Sequence, residues 1–188
     1  MFRWTSILKM VFLLLLMSSC KNTRSAAEQA YIEQQYQKVK TLVNSKEYRF
    51  VATAAFPLQT NAVMEATQNL FRGTDNTGTR IVLTKNDAFI EVQNDSVSGF
   101  LSYYGELRTA NYSDDRDAAI IFNGAPQSYE VVENDKKNSL EIKLKVKSST
   151  EQFNLKMDVY HNSRVYLLVY GANRTAIRYE GFLKATMQ

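Results

Sequence analysis

Apolar residues near the N-terminus of the sequence recur at the spacing of a helix. The segment 26–44 contains no Gly or Pro, and its apolar positions follow at steps of four, three and four residues: Ile32, Tyr36, Val39 and Val43. Such steps place side chains on one stripe of an α-helix. The pattern predicts a helix over 26–44 that packs on its own domain, with a coiled-coil partner as the alternative.

After this helix, apolar and polar residues alternate with a period of two, which is typical of half-buried strands. The alternation predicts a strand over 48–56, a hairpin over 88–93 and 97–104, and strands over 118–122, 128–133, 139–147, 153–160, 164–172 and 175–183. The stretch 58–86 fits neither period. We therefore expect a single α+β domain: a mostly antiparallel β-sheet, a meander that is open or curled, with one N-terminal helix.

Turn chemistry gives an expected register for the last three strands. Two-residue turns at 162–163 and 173–174, each with an Asn, would place Met157 opposite Leu168 and Leu168 opposite Tyr179. In that register a second apolar face appears, formed by Val165, Leu167, Val169 and Phe182. We expect this face to be covered by the helix stripe, by a curled part of the sheet or by a ligand.

The first twenty residues have the order of an export signal. Arg3 and Lys9 precede an apolar run over 10–17, and two small serines stand directly before Cys20. The run is far shorter than the roughly 20 residues that cross a bilayer. We predict a signal peptide over 1–19, a lipidated tether over 20–26 and the domain over 27–188. The junction resembles a bacterial lipobox, which implies acylation of Cys20; an ordinary signal peptide is the alternative.

Charge and residue counts exclude several classes of function. Without Arg3 and Lys9, the 23 basic residues fall to 21 against 19 acidic ones, a net charge of +2, so nucleic acid is not an expected partner. His161 is the one histidine and Cys20 the one cysteine, which is too few for a zinc site. The acidic segment 113–117 lacks the calcium-loop pattern. We expect no metal, no cofactor and no catalytic residues.

Two further aromatic residues extend the expected binding surface. Tyr103 and Tyr104, in the segment "FLSYYG", could stack on a ligand, although strand aromatics more often pack in the core. The candidate binding face therefore comprises Val165, Leu167, Val169, Phe182, Tyr103 and Tyr104.

A set of residues in order along the chain resembles a known family of bacterial lipoproteins. The matching residues are Asp95-Ser96-Val97, Leu101, Tyr103, Tyr104, Gly105, Ile121-Phe122, Tyr129, Val146-Lys147, Asn162, Asn173-Arg174, Ile177, Tyr179 and Gly181. Their order over about residues 30–184 is similar to domain of unknown function 4251, common in Bacteroides-like gut bacteria; Ser163 stands where the family often has Gly. The family has no established activity, so the resemblance implies location and architecture only.

The expected function follows from location rather than from a chemical motif. In such bacteria an acidic run after the lipidated cysteine tends to accompany surface export, and residues 21–23 are not acidic. We therefore expect an outer-membrane lipoprotein that faces the periplasm, is anchored through its N-terminal lipid, and binds an apolar ligand or another envelope protein without catalysis. The alternatives are a hydrolase or other enzyme acting on envelope polymers, and a structural element of a membrane assembly.

Overall fold

The computed structural model describes residues 25–70, 79–83, 88–108, 119–149 and 151–186. Contacts divide the chain into a unit that ends at Tyr31 and a compact unit over Ile32–Gln188. In the first unit, the Ser25 hydroxyl accepts a hydrogen bond from the Glu28 backbone N–H at 3.2 Å. Ser25 followed by Glu28 three residues later is the sequence order of a capping box, and the helix begins at the next residue, Ala26.

The secondary structure of the described residues is mostly β: ten strands, two α-helices and one 3₁₀ turn. The elements are α1 (Ala26–Asn44), β1 (Glu47–Pro57), α2 (Asn61–Leu70), β2 (Ile81–Val82), β3 (Phe89–Gln93), β4 (Ser96–Leu101), β5 (Ile120–Gly124), β6 (Ser128–Asn134), the 3₁₀ turn (Asp135–Lys137), β7 (Ser139–Lys147), β8 (Gln152–Tyr160), β9 (Arg164–Gly171) and β10 (Ile177–Ala185).

The strands form one curled antiparallel sheet in the order β5-β4-β3-β1-β10-β9-β8-β7-β6, and β2 pairs with β1 beyond the end of β3. The pairing of β1 with β10 joins two meanders, one on each side. The two edge strands, β5 and β6, are separated in sequence by residues 125–127 alone. A connection that short spans about 14 Å at most, so the sheet must curl to bring these edges near each other.

The inner face of the sheet carries the core. One cluster of buried side chains includes residues of every strand except β6, together with Tyr36, Val39 and Val43 of α1. The predicted helix is confirmed, and its stripe, including Ile32, is buried. Tyr36 Oη donates to the Asp135 carboxylate at 3.1 Å, and Lys40 Nζ lies 2.5 Å from the Glu133 carboxylate. These two polar contacts hold α1 beside the end of β6.

The expected register of β8 with β9 is wrong by one residue. Met157 pairs with Leu167, not with Leu168. The loop has three residues, 161–163, and Ser163 has φ 62°, the left-handed conformation that ends such loops. Its N–H donates to the Tyr160 carbonyl at 2.9 Å. One extra loop residue turns every β9 side chain to the other face.

The second turn is also longer than expected. The pairing of β9 with β10 ends at Val169 and Ile177, so 173–174 is not a two-residue turn, and Tyr179 pairs with Leu167. The two one-residue errors cancel at β10, where Phe182 is on the outer face as predicted. Only β9 is inverted, so the predicted second apolar face does not exist as a unit.

The stretch 58–86, for which the sequence predicted no element, contains helix α2 and the short strand β2. The N-terminal helix and the α+β class are confirmed. Thr60 precedes α2, and its hydroxyl accepts a hydrogen bond from the Val63 backbone N–H at 3.2 Å, which is the geometry of an N-cap. Two features hid this helix from sequence analysis. A turn-rich sequence follows it around residues 73–79, and its one buried residue among those described, Val63, gives no periodic pattern.

Candidate functional site

The structure separates the six residues of the predicted binding face. Val165, Leu167 and Val169 lie on the inner face, where they are fully buried in the core. Phe182 is on the outer face and 41% exposed. The two tyrosines lie elsewhere again, Tyr103 buried and Tyr104 half-buried against the core. Cys20, the predicted lipidation site, lies outside the described residues.

A buried ion pair stands where the β7–β8 and β9–β10 connections meet. The Arg174 guanidinium is bonded through Nε to the Glu151 carboxylate, and the two side chains are 2% and 1% exposed. The same carboxylate accepts the Asn173 backbone N–H at 3.0 Å. The guanidinium carbon lies 4.7 Å from the ring centre of Tyr103 and 5.2 Å from that of Phe153, within reach of cation–π attraction. We call Glu151, Arg174, Tyr103 and Thr175 the buried polar cluster.

Tyr103 joins the two meanders within this cluster. Its hydroxyl lies 2.9 Å from the Glu106 carbonyl, from the Thr175 carbonyl and from the Thr175 hydroxyl. Thr175 N–H in turn donates to the Glu106 carbonyl at 3.0 Å, and Leu107 forms a β-bridge with Arg174. A Cβ on Gly105 would lie 2.4 Å from the Tyr103 hydroxyl, so only glycine lets the backbone pass this close.

The buried polar cluster is suited to fastening rather than to acid–base chemistry. Burial raises the pKa of the Tyr103 hydroxyl, which keeps it protonated at neutral pH. The Glu151 carboxylate is occupied by Arg174 and by a backbone N–H. Each group therefore has a partner inside the protein, as buried polar groups require. The arrangement fixes the segment 103–108 against the β9–β10 connection.

The described parts of the chain contain neither a cluster of metal-binding side chains nor a membrane-spanning helix. Over those ranges no group of three or more His, Cys, Asp or Glu side chains could hold a metal ion. None of the helices within the same ranges has the length and apolar character needed to cross a bilayer. The acidic segment 113–117, considered above for calcium, lies outside the described residues.

Five apolar side chains form a continuous line across the outer face. Each is the direct cross-strand neighbour of the next, on β10, β1, β3, β4 and β5: Phe182, Val51, Phe89, Phe100 and Ile121. Ile121 is 50% exposed, and the three central members are half-buried. Neighbouring strands are about 4.8 Å apart, so the line is roughly 19 Å long. We call these five residues the outer row.

Basic side chains border the outer row. The Arg49 guanidinium carbon lies 3.7 Å from the ring centre of Phe89, and Arg49 Nη1 is 3.1 Å from the Glu91 carboxylate. At the β10 end, Arg164 pairs across from Phe182, and Lys184 follows two residues later on the same face. The row thus has an apolar centre and a mainly basic border, in which Glu91 is the partner of Arg49 and Glu180 lies two residues before Phe182.

The outer face of β7 and β8, in the other meander, has charged side chains that pair with one another. The Glu141 carboxylate lies 2.6 Å from Lys156 Nζ and 3.0 Å from Lys143 Nζ. These hydrogen bonds, first from Lys156 and then from Lys143, lower the pKa of Glu141, and the bond to Glu141 raises the pKa of Lys156. This half of the sheet has exposed apolar residues too, Val132 on β6 and Tyr170 on β9, but they are not cross-strand neighbours and form no continuous row.

Sequence reasoning identified one member of the outer row, Phe182, and missed the other four. The hairpin turn at Asn94, with φ 54°, sets Phe89 opposite Phe100 and could have been read from the Asn-Asp pair. The pairing of β1 with β10 is a long-range contact without a local sequence signal. The Glu151–Arg174 pair was missed for the same reason.

The fold and these surfaces define a curled antiparallel β-sheet domain with a helix packed on its inner face, a buried fastening cluster and an apolar outer row. The model of the family described as Domain of unknown function (DUF4251) matches residues 30–183, and the chain belongs to that family. No curated protein matches it.

A solved structure has a similar fold. The crystal structure of a DUF4251 family protein from Bacteroides eggerthii superposes with a TM-score of 0.56 over 84% of this chain and 91% of that chain, at 10% sequence identity. At such an identity the likeness concerns the fold alone. The family resemblance inferred from residues 95–181 is thus confirmed.

Proposed function

We propose that this protein is a non-enzymatic lipoprotein of the bacterial envelope that acts by contact, with the outer row as its contact surface. It is held through acyl chains on Cys20 at the periplasmic face of the outer membrane. The observation that carries the proposal is the distribution of apolar side chains. The inner-face side chains are buried against α1, whereas the outer row exposes two large apolar residues, Phe182 and Ile121, at its ends.

In this proposal the partner binds the exposed outer row and not a pocket in the interior of the sheet. Val165, Leu167 and Val169, which the sequence suggested for an apolar ligand, contact other core residues. An apolar patch of several hundred Å² on a monomer often marks an interaction site. The outer row, with its mainly basic border, is such a patch.

The anchor is tested by the fate of Cys20. The mature chain should begin at Cys20 with added acyl mass, and Cys20→Ser should be unlipidated and leave the membrane fraction. Ser19→Ala, which keeps a small residue before the cysteine, is the matched control and should remain lipidated. Membrane attachment of Cys20→Ser equal to that of the control, with no acyl mass on the unsubstituted chain, would refute the anchor.

The contact surface is tested by native purification. Membranes that carry the protein are solubilised, and whatever co-purifies is identified by mass spectrometry. Phe182→Ser should lose that material, and Tyr170→Ser, another exposed aromatic change on the outer face, should retain it. Retention of the same material by both variants would place the contact elsewhere.

A further inference from the structure

The outer row is too small for a stable protein partner by itself. A large aromatic side chain offers about 150–250 Å² in all, so Phe182 at 41% exposure and Ile121 at 50% present roughly 100 Å² or less each. With the half-buried central members, the row offers roughly 300 Å². A specific protein interface takes about 800 Å² from each partner. The row therefore suits an occupant that is already held nearby.

The proposed lipid anchor at Cys20 would hold the domain, and with it the outer row, near the bilayer. Five residues, 21–25, lie between Cys20 and the start of α1 at Ala26, and these six steps along the chain can span about 20 Å at most. The first turns of α1 up to Ile32 add roughly 10 Å. The compact unit thus begins within about 30 Å of the bilayer that holds the acyl chains. A short tether gives a high effective concentration, so even weak contact with that bilayer is populated.

The side chains around the β10 end match a lipid surface. Phe182 is a large apolar side chain, and two exposed cations flank it: Arg164 on the neighbouring strand and Lys184 two residues along β10. Its neighbour two residues back along β10 is the half-buried Glu180. Interfacial protein segments bury apolar and aromatic side chains about 5–10 Å into the headgroup and acyl boundary. Long cationic side chains beside them reach the phosphate groups.

We propose that the outer row docks on the surface of the bilayer that carries the lipid anchor, with Phe182 inserted at the boundary between headgroups and acyl chains. The inference rests on the proposed function, since the anchor is what keeps the domain at the bilayer. It deepens that function by naming lipid as the partner of the outer row. The charged outer face of β7 and β8, around Glu141, then remains in water.

A tryptophan reporter tests this proposal. The sequence has one tryptophan, Trp4, within the predicted signal peptide, so the mature lipidated chain has none. Phe182→Trp then reports on the outer row alone. Tyr170→Trp is the matched control: Tyr170 is 48% exposed on the same face, about 20 Å from Phe182 along β9. Both variants are reconstituted in phosphatidylethanolamine–phosphatidylglycerol vesicles, with and without bromine on the acyl chains near the headgroup.

The proposal predicts that Phe182→Trp loses most of its emission in brominated vesicles and that Tyr170→Trp loses little. Equal quenching of both reporters would overturn it, because proximity would then be unspecific. An unquenched but blue-shifted Phe182→Trp whose shift disappears when vesicles carry fewer copies would overturn it in favour of a second copy of this chain. Flotation with the vesicles reports separately on the anchor, so failure of lipidation is distinguishable from failure of docking.

Discussion

Removing the charge of Glu151 should destabilise the protein far more than removing the charge of an exposed glutamate. In Glu151→Gln the guanidinium of Arg174, 2% exposed, keeps its positive charge in the interior and loses the Glu151 carboxylate. Breaking a buried ion pair in this way costs about 3–5 kcal/mol. The free energy of unfolding of a typical domain is about 5–15 kcal/mol, so the loss is a third or more of a mid-range value.

The matched control is Glu141→Gln, which breaks the pair with Lys156. Those side chains are 29% and 41% exposed, and a surface pair contributes about 0–1 kcal/mol. Urea unfolding followed by circular dichroism gives the free energy of unfolding for each variant, provided that the slope with urea is unchanged.

A double variant separates the pair from its surroundings. Glu151→Gln combined with Arg174→Met removes both charges of the pair, so it should be more stable than Glu151→Gln alone. If Glu151→Gln and Glu141→Gln shift the urea midpoint equally, Arg174 is not held in a closed interior, and the fastening role of the buried polar cluster is wrong.

Three more predictions test the core and its register. Leu167→Asp should unfold the domain, since it buries a charge, whereas Leu168→Asp on the outer face should fold with a modest loss in thermal midpoint; similar midpoints would contradict the observed register. Gly181→Ala should lower stability by about 1–3 kcal/mol or more in urea unfolding, because the new Cβ would lie 2.0 Å from the Val51 carbonyl oxygen; an unchanged midpoint would refute this close approach. Burial, then the hydrogen bond to the Asp135 carboxylate, raises the pKa of Tyr36 from 10.0 to about 12. Its contribution to the free energy of unfolding is therefore complete below pH 10 and declines towards pH 12. The stability difference between the unsubstituted chain and Tyr36→Phe should narrow over that window, and a constant difference in urea midpoint would contradict it.

Local patterns predicted most of the secondary structure because the signals are local. The α1 stripe has a clean helical period, and the sequences of β7 and β8 alternate over nine residues, whereas the alternation of β1 ends at its irregularity near Ala54. The predicted register of β8 with β9 was wrong because the loop is one residue longer than expected. The loop ends at Ser163 in the left-handed conformation, which serine rarely adopts, so the sequence gives little sign of it. In the family a glycine often stands there, and that substitution is the one clue that could have corrected it.

The candidate site was less predictable than the fold. The outer row takes its five members from strands that are separated by most of the sequence, and the β1–β10 pairing that joins them is fixed by the packed core. The buried polar cluster likewise joins Glu151 and Arg174 with a segment about fifty residues earlier. Charge and polarity in the sequence do not distinguish such buried groups from exposed ones.

Hydroxyl-radical footprinting of the lipidated protein in native membranes tests the central claim most directly, namely that this is an anchored protein whose outer row is its contact surface. Labelling of Phe182, Phe100 and Ile121 is compared between native membranes and detergent-purified protein, with Tyr170 as the internal reference. The account predicts that the three outer-row residues are protected in membranes while Tyr170 is labelled equally in both. Equal labelling of all four in both preparations would contradict it.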